Sequence, residues 1–205
     1  LNTRKHRLCA INSFYKLTAG MPLKTGKIPY PRSERKLPRI IDNETLKTKI
    51  FAVYNIKHRA LLSVGYCCAL RVSEVVNIKI SDIDGKQGLL LIRQAKGGKD
   101  RYTAISQSVL SLLREYFKQY RPKEYLFEGQ AGGQYTTRSC EEVYHTHIEK
   151  ETSWHNLRHS AITFMIESGT NVLAIQSAVG HNNPKTTAIY FHTSKKFLSS
   201  IHTPI

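Results

Sequence analysis

The residues of this sequence best suited to chemistry at a phosphate lie in Trp154-His155-Asn156-Leu157-Arg158-His159. On a helix, His155 and Arg158 stand three apart and share a face. An imidazole beside a guanidinium makes sense where a phosphate must be gripped and a proton moved. Arg offers a rigid fork for two oxygens, and His titrates near neutral pH. The same pair also reads as the ordinary polar side of an amphipathic helix whose core-facing stripe is Leu157, Ala161 and Phe164. Two landmarks follow: Gly180-His181, where a helix is expected to stop, and Tyr190 nine residues later. By itself such a tyrosine reads as a core or interface residue. Its hydroxyl, with a pKa of about 10, is a poor nucleophile at pH 7 until a base or a cationic surround assists it.

The elements that must position these residues are legible from punctuation and period. Asp42 is a good N-cap for a helix with Leu46, Ile50 and Phe51 facing inward. A buried helix is expected from about His58 to Leu70, then a short one holding Val72, Val75 and Val76. Leu89-Leu90-Leu91-Ile92 is the best strand signal, Lys96-Gly97-Gly98-Lys99 turns the chain, and Arg101 to Ile105 returns it. Val109, Leu112, Leu113, Tyr116, Phe117 and Tyr120 recur at helical spacing. Another helix is predicted over Thr137–Glu149, with Val143, Tyr144, His147 and Ile148 on one face. His155–Ser168 ends at Gly169, Asn171 caps a short helix to Val179, Gly180 stops it, and Asn183-Pro184 opens one more. The expected fold is mainly α with a small antiparallel β-sheet.

Charge narrows the partner. Of 205 residues, 31 are Lys or Arg against 15 acidic, a formal net charge of +16. Such an excess strains a compact fold by self-repulsion, and a polyanionic partner accounts for it better than solubility, which acidic residues serve more effectively. The excess is concentrated at the front, where residues 1–39 hold ten Lys or Arg and one acidic residue, Glu34. There a helix over Arg4–Leu17 is expected within residues 1–20. Residues 21–39 read as a basic, Pro-containing linker, and the compact domain occupies residues 40–205 with a terminal tail over 191–205. The opening Leu1 suggests a helix left from an upstream domain. Cys9, Cys67, Cys68 and Cys140 form no C-x-x-C pair, which suits a reducing compartment. The longest nearly apolar run, Ala60–Leu70, is too short to span a bilayer, and a cytoplasmic, nucleoid-associated location is expected.

His155-Asn-Leu-Arg158-His-Ser-Ala, then Gly180-His181, then Thr186-Thr187-Ala-Ile-Tyr190 strongly resembles the signature of the tyrosine recombinases, the lambda-integrase-like family. Upstream, Cys68-Ala-Leu-Arg71-Val-Ser-Glu74-Val resembles that family's first box. The Lys-Gly-Gly-Lys turn sits where the family carries a catalytic lysine in a β-hairpin. Order and spacing agree from about Asp42 to the end, and ordered boxes are far more specific than any one of them. The resemblance implies the tyrosine-recombinase catalytic fold over residues 40–205, with residues 1–20 the last helix of a core-binding domain. It also implies a double-stranded DNA partner and a homotetramer assembled on DNA. The tail, with Phe197, Leu198 and Ile201, either packs on its own domain or docks on a neighbouring protomer, as in related enzymes.

Carried residue by residue, the resemblance implies that Tyr190 attacks a scissile phosphate and forms a 3′-phosphotyrosyl link, with neither metal, ATP nor other cofactor. Arg71 and Arg158 would hold the non-bridging oxygens and stabilise the pentavalent transition state. Lys96 would protonate the departing 5′-oxygen, with Lys99 on the same turn as the other candidate. His155 would move a proton at the nucleophile, and His181 would donate a hydrogen bond to the phosphate. Glu74 would support Arg71, and His159 is counted as structural. A metal-dependent nuclease is the contrasting reading, since His155 and His159 have the i, i+4 spacing of a zinc pair. The motif lacks the Glu of H-E-x-x-H and places Arg158 where a metal would resist it. A non-catalytic DNA-binding relative and a type IB topoisomerase are the remaining alternatives.

Overall fold

The computed structural model of the chain describes residues 2–18, 20, 39–95, 99–180 and 187. They belong to two units, Leu1–Leu37 and Pro38–Ile205. The first holds helix α1 (Asn2–Leu17), which contains the helix expected at 4–17. Most of the predicted linker lies outside the described residues, as does all but Thr187 of the helix predicted after Asn183-Pro184.

In the second unit, α2 (Asn43–Phe51) starts where the sequence indicates. The Asp42 carboxylate accepts hydrogen bonds from the backbone N–H groups of Glu44 and Thr45 at 3.1 and 2.9 Å, satisfying two of the donors that every helix start leaves open. Leu46 and Ile50 face inward, but Phe51, expected with them, is 63% exposed. It lies about 100° further round the helix than Ile50, off the buried stripe. Helix α3 (Ile56–Cys67) begins two residues before the predicted start because the Asn55 side chain caps it, accepting from Lys57 and His58 N–H. Ala60 through Gly65 are all buried. With no solvent face over that stretch, α3 serves as the axis of the domain. Around it pack α2, α4 (Val72–Val76), α5 (Gln107–Tyr120), α6 (Thr137–His147) and α7 (His155–Glu167).

The sheet is antiparallel in the order β1 (Ile83–Asp84), β2 (Leu89–Ala95), β3 (Lys99–Ala104). Two strands were legible from pattern; β1, two residues long, is too short to show a period. Leu90 pairs with Thr103 and Ile92 with Arg101, and the register slips between Ile92 and Ala95, just before the hairpin tip. Strand alternation turns Leu90, Ile92 and Thr103 inward and leaves Tyr102 in solvent. Arg101, in phase with Thr103, also points in.

The buried side of α5 is Leu110, Leu113 and Tyr116. Phe117 and Tyr120, which share the helical spacing, are each 43% exposed, since the contact with α3 follows a narrower stripe than the apolar pattern. A main core around α3 includes Trp154 and Leu157 at the start of α7. A second cluster of Ala69, Ile162, Ile166, Ile175 and Val179 joins α7 to α8 (Val172–Val179). That shift toward α8 corrects the expected α7 stripe: Ala161 is buried, but Phe164 is 40% exposed. Asn171 caps α8 through its side chain, and Gly180 ends it at φ +65°. The result is a mainly helical domain with a three-stranded antiparallel sheet, as the sequence indicates.

Candidate active site

The site forms where α3 ends and α4 begins. After Cys67 the chain turns through Ala69 at φ +51°, and the Leu70 N–H reaches back to the Gly65 carbonyl at 3.0 Å. This is a left-handed helix cap made with alanine where glycine is usual. The backbone cost is of order 1–2 kcal/mol. The Ala69 methyl is buried in the cluster with Ile162 and Ile166, which offsets part of it. The turn delivers Arg71 to the first position before α4. There the Glu74 carboxylate accepts the Arg71 backbone N–H at 2.9 Å and its Nη1 at 2.7 Å. The pairing expected from the sequence is present.

A third member was not anticipated. Arg101 of β3 donates Nη1 and Nη2 to the two Glu74 oxygens, each at 3.0 Å, and its Nε to the Ala178 carbonyl at 2.8 Å. Its side chain is 8% exposed. The signal in the sequence that could find it is a charged residue in the inward phase of a strand, opposite Ile92. Burial works against ionising Glu74, but the hydrogen bonds from Arg101 and the Arg71 backbone outweigh it and hold the carboxyl below its usual range.

Arg158 reaches the same place from α7. It is 1% exposed and donates Nη1 to the Ala69 carbonyl and Nη2 to the Val179 carbonyl, both at 2.6 Å, while Nη1 stands 3.8 Å from Glu74. Both acceptors are carbonyls at helix C-terminal ends, where a cation is favoured. Trp154 fixes the start of α7: its indole N–H donates to the Leu70 carbonyl at 3.1 Å, and its backbone N–H to Glu141 at 2.8 Å. The ring lies against Gly65, where an added Cβ would stand 2.3 Å from the indole. The next residue, His155, is exposed, and its ring meets that of His159 edge-on with centroids 4.3 Å apart. Desolvation by the groups packed around it, then the Arg158 and Arg71 guanidiniums, lower the His155 pKa. Burial, His155 and Arg158 push His159 down to about 4.

Arg71, Glu74, His155 and Arg158 therefore belong to one neighbourhood. Lys96, His181 and Tyr190 lie outside the described residues, as does the side chain of Lys99. Thr187, in the segment before Tyr190, is fully buried. Among the described residues no group of three or more His, Cys, Asp or Glu stands as a metal ligand set, and no helix is long and apolar enough to cross a membrane.

Two arginines from separate helices gathered on one buried carboxylate, in a helical domain with a β-hairpin opposite, define the DNA breaking-and-rejoining class. Comparison gives the family. Residues 34–196 match the phage integrase family, and the chain belongs to it: it is a tyrosine recombinase of the site-specific kind. Tyrosine recombinase XerA of Pyrococcus horikoshii is 31% identical over 196 residues, covering 92% of this chain and 68% of the relative. XerC of Bacillus subtilis is 28% identical, covering 98% and 73%. The crystal structure of XerA superposes with a TM-score of 0.71 at 25% identity, covering 94% of this chain and 71% of that one. A lambda integrase dimer bound to a COC′ core site shares the fold, at a TM-score of 0.70 and 16% identity, covering 98% and 61%. The chain spans 66% to 81% of the length of the relatives at the head of the comparison.

Proposed function

We propose that this chain cuts and rejoins double-stranded DNA through a covalent 3′-phosphotyrosyl link at Tyr190. The observation that carries the reading is the convergence of Arg71 and Arg158 on Glu74 with His155 beside them, in a chain whose family match includes Tyr190. In this reading the Tyr190 oxygen attacks phosphorus, the bond to the 5′-oxygen breaks, and Lys96 supplies the proton that the leaving oxygen takes up; Lys99 is the other candidate. Arg71 and Arg158 hold the non-bridging oxygens as negative charge grows on them. His155, its pKa lowered, is neutral at pH 7 and can accept the tyrosine proton. His181 donates a hydrogen bond to the phosphate. Reversal by the 5′-hydroxyl of a second strand rejoins DNA, so the bond energy is conserved and neither metal nor ATP is called for.

Relatives support the partner. One XerH structure holds a palindromic difH substrate after cleavage, and the lambda integrase structure is a dimer on its core site. For this chain the corresponding partner is duplex DNA, on which protomers assemble as a homotetramer. The test is a nicked suicide duplex carrying the site recovered from adducts in the native host. A covalent protein–DNA adduct is expected, retained in EDTA and lost in Tyr190→Phe. An adduct that survives Tyr190→Phe, or one that EDTA abolishes, would overturn the reading.

A further inference from the structure

Glu74 is saturated. An ionised carboxylate has about four lone-pair sites, and Glu74 accepts four hydrogen bonds: the Arg71 N–H, Arg71 Nη1, Arg101 Nη1 and Arg101 Nη2. Arg101 takes the two-oxygen fork position that an arginine–carboxylate pair ordinarily prefers. Arg71 is left with a single side-chain contact through Nη1, at 2.7 Å, and a side chain 24% exposed. Its Nε and Nη2 are directed to no partner among the described residues. Arg158 stands off at 3.8 Å. The same Arg101 guanidinium is tied by Nε to the Ala178 carbonyl at the end of α8, and its stem and head lie 3.2–3.3 Å from the position a Cβ would take on Gly180. One side chain thus joins the hairpin strand, the support of Arg71, and the helix end that leads to His181.

We propose that Arg101 is a positioning residue for strand cleavage: by occupying the fork of Glu74 it keeps Arg71 from closing into a two-bond pair and leaves that guanidinium's remaining N–H groups for a non-bridging phosphate oxygen. This rests on the reading of Arg71 as a phosphate ligand. Charge alone is not enough for the task. A lysine at position 101 would retain the cation, but its single ammonium head cannot span both carboxylate oxygens and the Ala178 carbonyl together. The close approach at Gly180 belongs to the same device, since a Cβ there would stand 3.2–3.3 Å from Arg101 and require that side chain to give by a few tenths of an ångström.

The experiment compares wild type with Arg101→Lys, which retains the charge and so the better chance of folding, and with Arg101→Met. In crystals of Arg101→Lys, Glu74 is expected to turn and take Arg71 with two bonds; an unchanged single contact would overturn the proposal. On the suicide duplex at saturating DNA, adduct formation is expected to slow about 10- to 100-fold, with DNA affinity at fixed salt unchanged. A loss of thermal stability with the saturated rate intact would mean that Arg101 is only structural. Replacing one non-bridging oxygen by methyl, as each methylphosphonate stereoisomer, supplies the readout that a structural role would not move. For one isomer the gap between variant and wild type should shrink, and equal gaps on all three substrates would count against the proposal. If wild type itself forms no adduct, the recombinase reading fails, and the Glu74–Arg71 geometry in the variant crystals still decides the part played by Arg101.

Discussion

At the scale of single residues, the centre is a problem of like charges. Arg71, Arg101 and Arg158 crowd one carboxylate, and the two histidines beside them are held towards the neutral form. Depressed histidines carry a pH signature whose sign can be worked out. His159 titrates near 4 in the fold against about 6.5 in an unfolded chain. Between those values the unfolded chain binds the extra proton, so the His159 contribution to stability is complete above about pH 6.5 and drains away as pH falls towards 4. His58, lowered by burial, His147 and Lys57, works in the same direction. Glu74, whose pKa is also lowered, begins to lose its contribution only below its unfolded value of about 4.3. Urea midpoints should therefore fall from pH 7 to pH 5, and the fall should be smaller in His159→Gln; an identical slope in that variant would show that His159 is not desolvated as described. Of this cluster, Arg71, Glu74, His155 and Arg158 were legible in the sequence because each sits in a local box. Arg101 was not. It joins Glu74 across 27 residues, and only the strand register that sets it opposite Ile92 turns it inward.

At the scale of elements, stops and starts were the most readable feature and facing the least. Asp42, Asn171 and Gly180 act where their chemistry predicts. Phe51 and Phe164, expected inward, are 63% and 40% exposed, and Phe117 and Tyr120, which share the helical spacing of the apolar residues of α5, are each 43% exposed, because apolar type alone does not say where a neighbouring helix ends. Gly65 shows the same limit from the other side: in an apolar run it looks like a weak helix residue, and only packing reveals that it makes room for an indole. Its replacement gives an element-scale prediction. In Gly65→Ala the new methyl would stand 2.3 Å from Cζ2 of Trp154, and neither side can yield easily, since Trp154 is fully buried and bonded to the Leu70 carbonyl. Overpacking of this kind costs roughly 1–3 kcal/mol. Because Trp154 sets the start of α7, the same substitution should shift His155 and Arg158 and slow adduct formation at saturating DNA. Adding Trp154→Phe, which removes the clashing part of the ring, should recover some of the lost stability in a double-mutant cycle measured by denaturant unfolding. Additive losses would mean that the two side chains do not meet as described.

For the whole molecule, charge divides into two populations that should respond differently to salt. Residues 1–39 hold ten Lys or Arg against Glu34 alone, so more than half of the net +16 sits in that segment. The arginines around Glu74 are buried or half-buried and already paired. Mobile ions screen exposed charges over about 10 Å at 0.1 M and act much less on buried ones. Binding and chemistry should therefore separate. DNA affinity should fall linearly with salt on logarithmic axes, by roughly 10³- to 10⁵-fold between 50 and 200 mM if roughly six to ten phosphates are neutralised. The cleavage rate at saturating DNA should change little over the same range, because the groups that stabilise the transition state do not exchange with bulk ions. Replacing Lys24, Lys27, Arg35 and Lys36 with Gln removes four of the front-end charges and touches none of the proposed chemistry. It should make the salt slope shallower by up to about 0.9 per lost phosphate contact and leave the saturated rate unaltered. Titrations of duplex DNA by fluorescence anisotropy at several salt concentrations, paired with single-turnover adduct assays, measure both quantities. A slope that is unchanged by the four substitutions would place the DNA-binding charge on residues outside that segment instead, and a saturated rate that falls with salt would show that the arginine cluster is open to solvent ions.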